Sequence, residues 1–298
     1  MLTTTLCGKT LKNPLIGASG TFGFGEEYAS FYDPALTGAI STKGLTLNPR
    51  PGNRGIRIVE TPSGIMNSIG LENPGVDAFI ENILPDMRKR DTVIMANLGG
   101  HSVEDYLIAT EKLDGADIDM IELNISCPNV KSGGMAFGLH CQDAAAITKK
   151  VKAKTRHPVI VKLSPNGDNV ADLAKACEEA GADSVSLVNT FQALAIDVKN
   201  KKPMFDNVYA GLSGPAIFPI ALRMVREASR AVNIPVVGIG GIASAEDVLA
   251  MIMAGAQAVE IGTMNLVEPG IIPRLLDELE EYMKEEGIES LDAIRGII

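Results

Sequence analysis

The sequence has little with which to build a metal centre. Its four cysteines, Cys7, Cys127, Cys141 and Cys177, are widely spaced with no C-x-x-C pair, which excludes a zinc knuckle or an iron–sulfur cluster held by this chain alone. The three histidines, His101, His140 and His157, are not spaced as a metal set and no H-E-x-x-H pattern occurs, so no metal is assigned. Basic residues are outnumbered: 27 Lys and Arg against 37 Asp and Glu give a formal charge of -10. That excess of acid argues against a nucleic acid partner, which is bound through surplus Lys and Arg. A small anion in a cleft is still allowed, because a few lysines and backbone N–H groups can reverse the local field. No stretch approaches the ~18 uninterrupted apolar residues of a membrane span. Met1 to Leu6 lacks the basic start and apolar run of a signal peptide, so a cytoplasmic protein with free thiols is expected. No Pro/Gly/Ser linker, charge block or low-complexity tract interrupts the chain, and 1–298 reads as one domain.

What is present is a repeat of short β-branched apolar runs alternating with helical patterns, the signature of a parallel sheet with crossover helices. Eight runs stand out: Pro14 to Ala18, Gly38 to Thr42, Val93 to Asn97, Met120 to Asn124, Val159 to Leu163, Ser184 to Val188, Val236 to Ile239 and Ala258 to Gly262. Several, such as Val159-Ile160-Val161, are apolar without alternation, as strands buried on both faces are. Ser102 and Ser244 each precede a carboxylate three residues on, a capping-box-like helix start. Val170, Leu173, Ala174 and Cys177 share one helical face, which makes Cys177 core, with Gly181 as the stop. Thr3 to Leu11 reads as a small hairpin covering one barrel end. Asn48 to Leu71 reads as a long loop after the second strand, and long loops in compact domains are usually functional.

In α/β barrels the working residues sit at the C-terminal ends of strands. Here those ends carry polar or glycine positions: Ser19-Gly20, Lys43-Gly44, Asn97, Asn124 to Cys127, Lys162, Asn189-Thr190, Gly240-Gly241 and Gly262-Thr263. The last two pairs follow strands seven and eight, where barrels commonly bind phosphate; singly they are equally well tight turns. Lys43 and Lys162 at a barrel mouth imply a bound anion or an electron-rich ring, and a flavin fits; the alternative is a solvent-facing loop lysine. Asn67, Asn97, Asn124 and Asn189 can read the N–H and C=O pattern of a pyrimidinedione, although each could equally cap a turn. Cys7, Cys141 and Cys177 read as small buried hydrophobes. Cys127, just past the fourth strand and before Pro128, is placed to act as a base beside a flavin. The Gly-rich stretch Val130 to Met135 suits a lid over it.

These motifs resemble one family. Lys43-Gly44, Asn67-Ser68-Ile69-Gly70-Leu71, Asn124-Ile125-Ser126-Cys127-Pro128-Asn129, Val161-Lys162-Leu163-Ser164-Pro165, Asn189-Thr190, Gly211-Leu212-Ser213-Gly214 and Gly238-Ile239-Gly240-Gly241 together resemble the dihydroorotate dehydrogenases over nearly the whole chain. The resemblance implies a (β/α)8 TIM barrel and oxidation of dihydroorotate to orotate in pyrimidine biosynthesis. It implies that Ser19, Lys43, Gly44, Asn97, Asn124, Lys162, Val188, Gly214, Gly240, Gly241, Gly262 and Thr263 hold FMN. Substrate would be held by Lys43, Asn67, Ser68, Ile69, Gly70, Leu71, Asn124, Asn189 and Thr190, with Cys127 as the base of the soluble, cysteine-using members. Ile69 and the stretch Thr42 to Pro51 look like the NAD-linked class. That class works with an electron-transfer subunit carrying FAD and a [2Fe-2S] cluster, in a heterotetramer of two catalytic and two electron-transfer chains. The alternatives are the fumarate-using homodimeric class, which usually has Met at the position of Ile69, a uracil-type dihydropyrimidine dehydrogenase, and a non-catalytic flavin- or phosphate-binding barrel subunit.

Overall fold

Eight short strands close into a parallel barrel in chain order: β1 (Leu15–Gly17), β2 (Ala39–Ser41), β3 (Val93–Leu98), β4 (Met120–Asn124), β5 (Val159–Lys162), β6 (Ser184–Leu187), β7 (Val236–Ile239) and β8 (Ala258–Ile261). The computed structural model describes residues 1–125 and 137–298. Each strand lies within one residue, at either end, of its run in the sequence, because Val, Ile and Leu buried on both faces mark a central parallel strand directly. With its surrounding helices, the barrel is the expected (β/α)8 architecture.

The helices cover the barrel through single apolar faces. In Phe218–Ala231 the buried positions are Ala221, Met224, Val225 and Ala228, the i, i+3, i+4, i+7 spacing of one helical stripe. Helix Val170–Glu179 buries Val170, Leu173, Ala174 and Cys177 as anticipated, and Gly181 follows at a left-handed φ of 98°. Ser244 forms a full capping box with Asp247. At Ser102 only half of that motif forms. The hydroxyl accepts from Asp105 N, but the Asp105 carboxylate accepts from His101 N at 3.3 Å instead of turning back to Ser102.

Strands Thr4–Leu6 and Lys9–Leu11 pair as the expected hairpin. It drives Leu6 and Leu11 into a cluster with Ile16, Ala39, Met95, Met120, Ile160, Val237 and Ala258, sealing the end where the strands begin. The opposite end carries an addition that the sequence reading missed. The stretch read as a long loop contains strands Ile58–Thr61 and Gly64–Asn67. These join Tyr209–Ser213 and Phe191–Leu194, from the connection after β6, in a four-stranded antiparallel sheet. Asn67 therefore lies on a strand and not in a loop. Among the described residues no helix is long and apolar enough to cross a membrane.

Candidate active site

The open end of the barrel and the added sheet enclose a cavity of about 350 Å³, within the range of small-molecule and cofactor sites. Strand exits supply its floor: Ser19 after β1, Lys43 and Gly44 after β2, Asn124 at the end of β4, Lys162 at the end of β5, and Val188, Asn189 and Thr190 after β6. Gly240 and Gly241 after β7 and Gly262 and Thr263 after β8 form one wall with Gly214. Asn67, Ser68, Ile69, Gly70 and Leu71 form another, brought over the mouth by the sheet. Of the expected site residues that are described, Asn97 alone does not line the cavity; it is fully buried beneath the floor. Cys127 and the Val130 to Met135 stretch lie outside the described residues.

The glycine wall has a steric cause. Gly214, Gly240 and Gly241 all adopt positive φ, a region in which a side chain is strained. A Cβ on Gly241 would stand 2.7 Å from Phe218 N and 2.8 Å from the carbonyl oxygen of Gly214. Only glycine lets these segments meet. Thr263 then ties the wall to the sheet, its hydroxyl 2.9 Å from that of Ser213.

Below the floor lies an ionic cluster that the sequence reading overlooked. Glu122 on β4 and Glu260 on β8 point inside the barrel, and both are essentially inaccessible to solvent. Lys162 Nζ lies 2.9 Å from Glu260 Oε2 and 3.6 Å from Glu122 Oε1. The expectation that Lys162 needs a bound anion is thus corrected: the barrel itself supplies two carboxyl groups. Burial alone pushes the Glu122 carboxyl up, but the Lys162 ammonium, Glu260 and the hydroxyls of Ser41 and Ser186 outweigh it and hold Glu122 below the usual carboxylate range. Burial and the Glu122 charge push Glu260 well above that range, against the pull of Lys162. For Lys162, burial works downward, and the two carboxyl groups reverse it and raise the ammonium. The sequence signal was a lone Glu inside each of two otherwise apolar strands, Met120-Ile121-Glu122-Leu123 and Ala258-Val259-Glu260-Ile261.

Three of the four asparagines form a chain that ends on this cluster. Asn189 Nδ2 donates toward Asn124 Oδ1 at 3.5 Å, Asn124 Nδ2 toward Asn97 Oδ1 at 3.4 Å, and Asn97 Nδ2 donates to Glu122 Oε2 at 2.6 Å. Asn67 stands apart on the sheet and donates to the Gly211 carbonyl at 3.3 Å. Asn166, which the sequence reading did not select, braces the β6 exit by donating to the Thr190 carbonyl at 3.0 Å and accepting from Gln192 N at 2.9 Å.

None of the described cysteines lines the cavity. Cys177 is core, its thiol pushed up to about 12 by burial. Cys7 is raised as far by burial and by Asp183. Cys7 and Cys141, both expected to be buried hydrophobes, are instead only partly buried, Cys141 where its helix begins. Among the described residues no group of three or more His, Cys, Asp or Glu side chains is placed to hold a metal ion.

The chain as a whole is similar to known proteins. The family model described as Dihydroorotate dehydrogenase matches residues 1–283. A Petrotoga mobilis protein named dihydroorotate dehydrogenase B (NAD(+)), catalytic subunit, is 54% identical over 293 residues, covering 98% of each chain. Proteins of the same name from Thermoanaerobacter pseudethanolicus and Bacillus pumilus are 51% and 49% identical, over 97% and 99% of this chain and 96% of their own lengths.

Proposed function

Because the chain belongs to the dihydroorotate dehydrogenase family, we propose that its cavity binds FMN and dihydroorotate together and oxidises the latter to orotate, with Cys127 as the base. The observation that carries this reading is the convergence on one cavity of two lysines, the carboxamides of Asn67, Asn124 and Asn189, and a glycine wall, from separate strand exits and the added sheet. The donor set fits the cofactor. Lys162 and Asn124, with Asn97 behind them, suit the polar edge of an electron-rich ring, flanked by Ser19, Lys43, Gly44 and Val188. Gly214, Gly240, Gly241, Gly262 and Thr263 suit its phosphate, since bare backbone can approach an anion closely.

Bound FMN supplies the hydride acceptor. Lys43, Asn67, the backbone from Ser68 to Leu71, Asn124, Asn189 and Thr190 hold the pyrimidinedione and its carboxylate, because carboxamides donate and accept and so match alternating N–H and C=O groups. Cys127 follows β4 by three residues, just past the cavity-lining Asn124. Its thiolate takes a proton from the ring carbon beside a carbonyl while a hydride leaves the adjacent carbon, and the two carbons become double-bonded.

The electrons then pass to NAD through a second polypeptide carrying FAD and a [2Fe-2S] cluster, two copies of each chain assembling in the cytoplasm. The names of the relatives, which specify both NAD(+) and a catalytic subunit, favour this over the fumarate-linked class. The test is turnover by the purified, yellow chain. Reduction of an artificial dye with dihydroorotate, none with dihydrouracil, and no NAD⁺ reduction without a partner is the expected pattern. A colourless chain, or one that prefers dihydrouracil, contradicts it.

A further inference from the structure

Two carboxyl groups and one ammonium share the buried interior of the barrel, and the hydrogen bonding of the two carboxyl groups is unequal. Glu122 accepts from Ser41 Oγ at 2.6 Å, Asn97 Nδ2 at 2.6 Å and Ser186 Oγ at 2.7 Å, so both of its oxygens are supplied with donors. Among the described residues the one nitrogen or hydroxyl donor to Glu260 is the Lys162 ammonium, at 2.9 Å on Oε2, and the buried Oε1 of Glu260 has no hydrogen-bond partner there. Fully ionised, the cluster would bury a net negative charge, which a buried, poorly solvated environment disfavours strongly. Two neighbouring carboxylates relieve that cost by sharing one proton.

We propose that Glu122 and Glu260 hold one proton between them, resident on Glu260, so that Glu122 remains a pure acceptor and fixes the direction of the Asn97–Asn124–Asn189 chain that reaches the cavity. The proton belongs on the group with the bare oxygen, because the Asn97 N–H2, which can only donate, and the two hydroxyls already supply Glu122 with donors that favour its charged form. With Glu122 accepting, Asn97 has to present its N–H2 downward and its oxygen to Asn124; Asn124 then presents its oxygen to Asn189. Carboxamide orientation, and with it the donor and acceptor pattern shown to a ligand, is set by a charge behind the floor. Glu122 is a positioning residue for the site, and Glu260 keeps the cluster neutral. The groups that bear on this proton are Lys162 on β5, Glu122 on β4, Ser41 on β2, Ser186 on β6 and Asn97 on β3; of these only Lys162 and Glu122 carry charge.

Infrared spectroscopy of the protein stripped of cofactor reads the proton directly, independently of any activity. Wild type at neutral pH is expected to show the carbonyl stretch of an un-ionised carboxylic acid, insensitive to H/D exchange over minutes, and Glu260→Gln is expected to lose it. Identical spectra for the two overturn the assignment. Should Glu260→Gln fail to fold, the wild type still decides, since absence of that band at neutral pH is equally fatal. The positioning half rests on the dihydroorotate reading and is measured as orotate affinity of the FMN-loaded protein. Glu122→Gln, which can donate where Glu122 only accepts, is expected to weaken orotate binding by about tenfold or more, one reversed hydrogen bond being worth about that factor. Unchanged orotate affinity in a folded Glu122→Gln protein overturns the positioning role while leaving the infrared result to stand or fall alone.

Discussion

The carboxamide of Asn73 donates to the carbonyl of Leu71 at 2.7 Å, fastening the last residue of the Asn67 to Leu71 stretch from beneath. The same side chain donates to Thr46 Oγ1 at 2.8 Å and accepts from the backbone N–H groups of Thr46 and Gly75 at 3.1 and 2.8 Å. All of its hydrogen-bonding capacity is used. Leu71 sits at a φ of 54°, a conformation that a leucine holds only when its surroundings enforce it.

Replacing Asn73 with Ala or Leu strands several buried backbone groups. The expected cost is about 2–4 kcal/mol of stability, from the ~1–3 kcal/mol of each unsatisfied group partly recovered by water. Because Leu71 and Gly70 line the cavity, KM for dihydroorotate should rise more than kcat falls. Urea unfolding together with steady-state kinetics checks both; an unchanged KM in a destabilised protein removes the link to the site.

Gly241→Ala introduces a Cβ 2.7 Å from Phe218 N at a φ of 77°. The backbone has to shift, at about 1–3 kcal/mol for a strained left-handed residue, and FMN affinity should fall if the displaced atoms belong, as proposed, to the wall that holds its phosphate. Flavin release on dilution measures this. Wild-type retention of FMN would mean that the phosphate lies elsewhere.

Much of this architecture was legible in the residues. The strands of the barrel announced themselves because burial on both faces leaves unbroken β-branched runs, as in Val159-Ile160-Val161. Strand exits could be read as site positions because polar residues replace apolar ones there. The added sheet was not legible. Its strands are half exposed, as the alternation from Phe191 to Leu194 shows, and their pairing joins residues as distant as Asn67 and Gly211. The Glu122–Lys162–Glu260 cluster was missed for a different reason: a carboxylate inside a buried strand is intelligible only once its counter-charge on another strand is in view. Lys162 alone looked like a cation awaiting a ligand.

Asp119 carries a pH-dependent share of the stability. Its carboxylate accepts from Ile94 N at 3.0 Å, pairs with Arg88 at 2.8 Å and with Lys9 at 3.1 Å. Burial opposes ionisation there, but the Ile94 N–H and the two cations outweigh it and hold the carboxyl below its ordinary value of 3.8. A carboxyl depressed in the folded state adds stability above its unfolded value, and that stability is lost as pH falls through the folded value. Asp119→Asn should therefore cost about 1.5–3 kcal/mol at pH 7, the worth of hydrogen bonds to a charged group, and progressively less below pH ~4. Denaturation of both proteins across pH 3–7 reads this; a pH-independent difference would assign the loss to packing.

In the proposed reaction a thiol just past β4 takes the substrate proton while the flavin is reduced. Anaerobic rapid mixing of the FMN-loaded chain with dihydroorotate measures that step alone, before any partner takes part. Wild type is expected to lose its yellow absorbance quickly. Cys127→Ala, still yellow and still binding orotate, should do so more slowly by about 10²–10⁴, the usual worth of a general base. Flavin reduction in Cys127→Ala at a rate near wild type would contradict the assignment.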